Sequence, residues 1–147
     1  MLLLFAGPSG SGKSTAAALL KPKLKAEVYS GKGYLRIAKN MDEAWKKFQT
    51  ILADSVAGKR NSILILVGTD NLEKFRAAGK FRLVRFTAPR EVLESRFAGR
   101  SGEITPQISK MIRDQEEKWM DVPCDLVVDT SQKTVEEVVK EIEGLVT

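Results

Sequence analysis

An apolar run near the amino terminus, "LLLFA" (Leu2 to Ala6), leads straight into "GPSGSGKST" (Gly7 to Thr15). Glycine at positions 7, 10 and 12 gives the backbone a freedom that a regular strand or helix does not use, so the stretch is a turn with an unusual path. The run before it is short and wholly apolar, as in a strand covered on both faces. "STAAALL" (Ser14 to Leu20) after it has the alanine and leucine content of a helix. A strand, a glycine-rich turn and a helix in that order begin an α/β fold, not a flexible leader.

The same alternation continues downstream. Four more apolar runs, "AEVY" (26 to 29), "SILILV" (62 to 67), "FRLVRF" (81 to 86) and "DLVVD" (125 to 129), are separated by helix-like segments. This predicts five parallel strands with helices on both faces. The third and fifth runs are continuous enough to be read as the central strands. Met41, Ala44, Trp45, Phe48, Ile51, Leu52, Ser55 and Val56 recur at helical spacing and mark a helix ending near Gly58. A second stripe, Ile104, Ile108, Met111, Ile112, Trp119 and Met120, has Thr105 as N-cap and Pro106 in the first helical position. The last helix opens with the capping box "TVEE" (Thr134 to Glu137).

A chain of 147 residues fits one domain, residues 1 to 147. No apolar run approaches the roughly 18 residues of a membrane span. No Lys or Arg precedes the first apolar stretch, which argues against a secretory signal. The single cysteine, Cys124, excludes an internal disulfide framework, so a reducing cytoplasm is the expected location. A net charge of +5 and a pI near 9.4 admit nucleic acid, anionic lipid or a phosphorylated small molecule. The distribution is narrower: six of the nine arginines (Arg82, Arg85, Arg90, Arg96, Arg100, Arg113) lie between residues 82 and 113. Their planar forks suit phosphate, which favours a small phosphorylated partner over nucleic acid or membrane. With no histidine in the chain, any general acid or base is a carboxylate, a lysine, a tyrosine or the ligand itself.

Gly7 to Ser14 fit the pattern G-x-x-x-x-G-K-[ST], with the required strand before and helix after. Gly7, Pro8, Ser9, Gly10, Ser11, Gly12, Lys13, Ser14 and Thr15 therefore read as a phosphate cradle. The glycines let successive backbone N–H groups turn inward, and the helix N-terminus adds partial positive charge. Lys13 is placed to reach the β- and γ-phosphates of ATP, and the Ser14 hydroxyl to ligate Mg²⁺. Neither N-K-x-D nor D-x-x-G occurs in the sequence, which leaves a GTPase-like switch without visible residues.

On "GPSGSGKST", "FTAPREVLESRFAGR" (86 to 100), "ITPQISKMIRDQEEK" (104 to 118) and "DLVVDTS" (125 to 131), the chain resembles the P-loop kinases of the nucleoside and deoxynucleoside monophosphate kinase group. It is also similar to dephospho-coenzyme A kinase. The resemblance covers nearly the whole chain and implies a three-layer α/β/α fold with a five-stranded parallel sheet and a short arginine-bearing lid at about residues 96 to 106. It also implies that Arg96 and Arg100 close on the nucleotide, one on adenine or phosphate and the other on the transferring group. Arg113 matches a third phosphate-facing arginine, and the backbone at Thr130 matches the place where the adenine edge is held. On the acceptor side Arg36 would hold the acceptor phosphate and Tyr34 its base.

Asp70 has two readings, a carboxylate that organises Mg²⁺ through water or one half of the capping box "DNLE" (Asp70 to Glu73). Many relatives carry an aspartate at the end of the second strand, but here "VYSGKG" (28 to 33) has none, which weighs against base-driven hydroxyl kinases. The expected activity is transfer of a phosphoryl group from ATP to a nucleoside monophosphate, with dephospho-coenzyme A or another small molecule, and a module without catalysis, as alternatives. The expected assembly is a monomer or a homodimer.

Overall fold

The computed structural model of the chain describes residues 1–30 and 38–146. Among the described residues five strands, β1 (Leu2–Ala6), β2 (Ala26–Ser30), β3 (Asn61–Leu66), β4 (Arg82–Thr87) and β5 (Leu126–Asp129), alternate with six helices. The helices are α1 (Lys13–Leu24), α2 (Met41–Val56), α3 (Leu72–Ala78), α4 (Arg90–Ser101), α5 (Pro106–Met120) and α6 (Val135–Val146). All strand pairs are parallel and the order is β2-β3-β1-β4-β5. Parallel strands need crossovers, and the helices that supply them cover the two faces.

One core layer joins Leu3, Phe5, Val84, Phe86 and Val128 to Ala16, Ala17 and Leu20 of α1 and Val138, Val139 and Ile142 of α6. The opposite layer joins Leu2, Leu4, Leu64, Leu66 and Leu83 to Phe48 and Leu52 of α2, Phe75 of α3 and Trp119 of α5. Every residue of β1 is buried because this strand contributes to both layers.

The sheet corrects one expectation. β1 is the central strand, β3 is beside it, and β5 is an edge strand. In β5, Leu126 and Val128 pack into the layer that holds α6, whereas Val127 points to the other face and is 48% exposed. An unbroken apolar run cannot announce an edge; that depends on whether both neighbours and both covers exist. The first helix also runs longer than its alanine-rich segment, passing Pro22 in its last turn and ending where Lys25 adopts a left-handed conformation (φ 50°).

The expected caps form at two helices. Thr105 accepts from the Ile108 N–H, and Thr134 and Glu137 exchange bonds in a complete capping box. α3 differs: its N-cap is Asn71, with no side-chain cap bond, so the box predicted for Asp70 and Glu73 is not made. Met41, placed on the apolar stripe of α2 by spacing, lies in its first turn and is 67% exposed.

Candidate functional site

The turn after β1, the carboxyl end of β3 (Ile65 and Val67) and the segment after β5 border one cavity of about 680 Å³. It is lined by the turn from Ser9 through Ala16, by Arg96 and Arg100 of α4, and by Thr130 and Lys133 after β5. Such a position, beyond the carboxyl ends of strands in an open α/β sheet, is where ligands of this architecture bind.

The path of the turn depends on two glycines. Gly7 has φ 144°, and a Cβ there would meet the Phe86 carbonyl oxygen at 2.3 Å. Gly12 has φ 94°, and its missing side chain leaves room for the Thr130 methyl group, 3.2 Å from where a Cβ would stand. The Ser11 hydroxyl donates to Pro8 O at 2.7 Å, closing the turn on itself.

Lys13 is 6% exposed. Its Nζ donates to Gly7 O at 2.6 Å, Pro8 O at 2.7 Å and Ser11 Oγ at 3.3 Å. Burial, and then the neighbouring Arg100, push this ammonium down to about 7, while Glu116 pulls it the other way. The three oxygens around Nζ offer one acceptor for each ammonium proton, so the charged form has partners even in the ligand-free chain.

The two arginines expected in a lid occupy different environments. Arg96 donates to Gly10 O and Thr130 Oγ1 through Nη1, at 3.0 and 2.7 Å, and to Thr130 O through Nη2 at 3.0 Å. Arg100 lines the cavity with one guanidinium nitrogen 3.8 Å from where a Gly10 side chain would begin. The segment expected as a lid comprises the end of α4, residues 102–105 and the start of α5. Beside it, Ala88, Leu93 and Ile112 form a small core, and Ser109 Oγ donates to Glu94 Oε1 at 2.5 Å across the two helices.

Thr130, expected where the adenine edge is held, makes bonds within the protein through its backbone. Its backbone N–H donates to Thr87 O at 3.0 Å and its carbonyl accepts from Arg96, so both backbone groups are already engaged within the protein. Beside it, the Ser131 hydroxyl and N–H both donate to Asp129 Oδ1 and hold that carboxyl below the usual carboxylate range, the hydroxyl bond most strongly.

Arg113 is exposed on α5 and is not among the residues that line the cavity. Asp70 is exposed in the turn after β3 and also lies outside the lining. Tyr34 and Arg36 lie outside the described residues. Ser14 and Thr15 open onto the cavity from the first turn of α1.

The donor chemistry bears on Mg²⁺. Ser14 presents a hydroxyl to the cavity and Asp70 a carboxylate at the same edge of the sheet, both hard oxygen donors. Among the described residues no three Asp, Glu, His or Cys side chains come together as a metal cage. These residues fit an ion that keeps several waters and shares the remaining oxygens with bound phosphates.

Two residues of α5 escaped the sequence reading. Gln115 Oε1 accepts from the Ser9 N–H at 2.9 Å, tying α5 to the turn. Glu116 Oε1 accepts from Thr87 Oγ1 at 2.6 Å and from Arg85 Nη2 at 3.1 Å, while its Oε2 and Arg85 Nε are buried without partners. The signal was present in the spacing: Ile112 and Trp119 are seven apart on one face, and positions 115 and 116 fall between them, where polar residues interrupt an apolar stripe.

No protein-family model matches the chain, and no curated protein matches it. Solved structures do. A sugar kinase from Janibacter sp. HTCC2649 superimposes with a TM-score of 0.69 at 17% identity, over 99% of this chain and 93% of that one. The YorR protein of Bacillus subtilis, in complex with phosphorylated GDP, gives 0.70 at 22% identity over 99% and 95%. Shikimate kinase from Acinetobacter baumannii, in complex with shikimate, gives 0.64 at 16% identity over 99% and 92%. At these identities the likeness establishes the architecture: the chain has the five-stranded parallel α/β fold of the small-molecule P-loop kinases.

Proposed function

We propose that the protein transfers the γ-phosphoryl group of ATP to a small phosphorylated acceptor, a nucleoside or deoxynucleoside monophosphate. The observation that carries the reading is the joining, in one cavity, of the Gly7–Thr15 turn with its buried Lys13 to a cationic Arg100 on the facing helix. Phosphoryl transfer asks little covalent chemistry of the protein; it needs the two phosphates aligned and the developing charge met by fixed cations and dipoles. In the proposed reaction an oxygen of the acceptor phosphate forms the new bond to the γ-phosphorus. The bond from that phosphorus to the β,γ-bridging oxygen breaks, leaving ADP. The acceptor phosphate is already anionic near neutral pH, so no proton need be removed.

Lys13 exchanges its loop carbonyls for phosphate oxygens, and Arg100 closes on the transferring group. Ser14, with Asp70 through water, would hold Mg²⁺, which when bound neutralises charge on the β- and γ-oxygens. The reading takes Arg113 and Arg36 as further phosphate-facing groups that act once an acceptor is bound.

A second reading, a hydroxyl acceptor such as dephospho-coenzyme A or a sugar-like alcohol, is favoured by the sugar kinase and the shikimate kinase among the similar structures. One coupled assay separates the two. ATP consumption is followed against a panel of nucleoside monophosphates, deoxynucleoside monophosphates, dephospho-coenzyme A, shikimate and gluconate. Turnover confined to monophosphates supports the first reading, turnover confined to alcohols the second, and none at all a nucleotide-binding module without catalysis.

A further inference from the structure

The Thr130 side chain meets the glycine-rich turn at Ser11 and Gly12. Its hydroxyl donates to Ser11 O at 2.9 Å and accepts from Arg96 Nη1 at 2.7 Å. The same Arg96 nitrogen donates to Gly10 O at 3.0 Å, so two successive carbonyls of the turn are held from one direction. The Thr130 methyl group fills the space left open by Gly12. Thr130 is itself fixed to the sheet through its N–H bond to Thr87 O.

A planar trans peptide directs its C=O and N–H in opposite senses, so holding Ser11 O fixes the direction of the Gly12 N–H, a donor of the cradle. Bound phosphate gains most from donors that need no reorganisation when it arrives.

We propose that the Thr130 hydroxyl is a positioning group for the phosphate cradle, linking Arg96 of α4 to Ser11 of the turn and so setting the affinity for the nucleotide's phosphates. The ligand's identity rests on the proposed ATP-dependent activity; the positioning itself does not.

The test compares Thr130→Val, which keeps the shape and loses the hydroxyl, with Thr130→Ser, which keeps the hydroxyl and loses the methyl. Thr130→Val weakens Mg·ATP binding by about tenfold or more, and Thr130→Ser stays within about threefold of wild type. In turnover, KM for ATP rises further than kcat falls. In the ligand-free chain the amides of residues 10 to 13 exchange faster in Thr130→Val but not in Thr130→Ser. Unchanged affinity and unchanged exchange in Thr130→Val overturn the proposal. Faster exchange in a protein whose wild type binds no ATP supports the positioning and removes the ATP reading instead. Should Thr130→Val not fold, Arg96→Gln is read by the same exchange experiment, and protection equal to wild type at residues 10 to 13 overturns the proposal.

Discussion

Lys13 and Asp70 follow neighbouring strands, β1 and β3, at the carboxyl edge of one sheet, yet they stand in opposite surroundings. Lys13 is buried and satisfied by three oxygens of its own turn, and the turn is in turn held by Arg96, Thr130 and Gln115. Asp70 is exposed, makes no cap bond to α3 and lies outside the cavity lining. On the side of the glycine-rich turn, Lys13 and Arg96 are already oriented by bonds inside the protein. Asp70, on the other side, is left open among the described residues, and in the proposed reaction a metal ion would supply its partner through water.

The largest effect is expected on the side of the glycine-rich turn. Lys13→Ala should lower single-turnover phosphoryl transfer by about 10²–10³-fold, since it removes a fixed cation at the developing charge. Full activity in this variant would break the comparison at its stronger end.

Asp70→Asn tests the open side with a smaller expected change. Turnover should fall about tenfold at limiting Mg²⁺, as for loss of one polar partner of the ion. The melting temperature should stay put, because no cap bond is lost. A drop of about 3 °C with undiminished turnover, the effect of losing an N-cap in a domain of this size, would return Asp70 to the helix.

The smallest effect is a proton. Burial, and then Arg100, push Lys13 down to about 7, which predicts a mostly neutral amine at pH 8 that a bound triphosphate draws back toward its ordinary range. ATP binding should therefore take up close to one proton at pH 8 and almost none at pH 6, read by calorimetry in buffers of different ionisation enthalpy. The same shift has a stability sign. Between about 7 and the ordinary value of 10.5, the unfolded chain holds a proton on Lys13 that the folded chain lacks, so stability rises with pH through that window. Lys13→Met should flatten that rise; a slope identical to wild type would show that the lysine is fully charged against its loop carbonyls.

Much of the fold was legible because local rules and burial agreed. The run Leu2–Ala6 matches β1 residue for residue, and Thr105 and Thr134 cap the helices their spacing named. The phosphate turn was legible because glycine, lysine and serine at fixed spacing leave few alternatives for the backbone. Strand order was not. β3 and β5 carry similar apolar runs, and only the sheet reveals that β1 is central and that Val127 lies uncovered at an edge. The division between the arginines expected in a lid was equally hidden, since Arg96 and Arg100 share one helical face in sequence, and their difference arises from Thr130 on a distant segment.

The sequence by itself therefore determined the element order, the caps at Thr105 and Thr134 and the glycine-rich turn after β1, all of which follow from contacts within a few residues of chain. The tertiary structure alone decided which arginine is tied down, that Glu116 sits against Arg85 and Thr87, and that the Thr130 hydroxyl reaches Ser11. Those pairs are separated by 29 to 119 positions. Their meeting depends on strand order and helix placement, which hydrophobic packing sets collectively and no local pattern encodes.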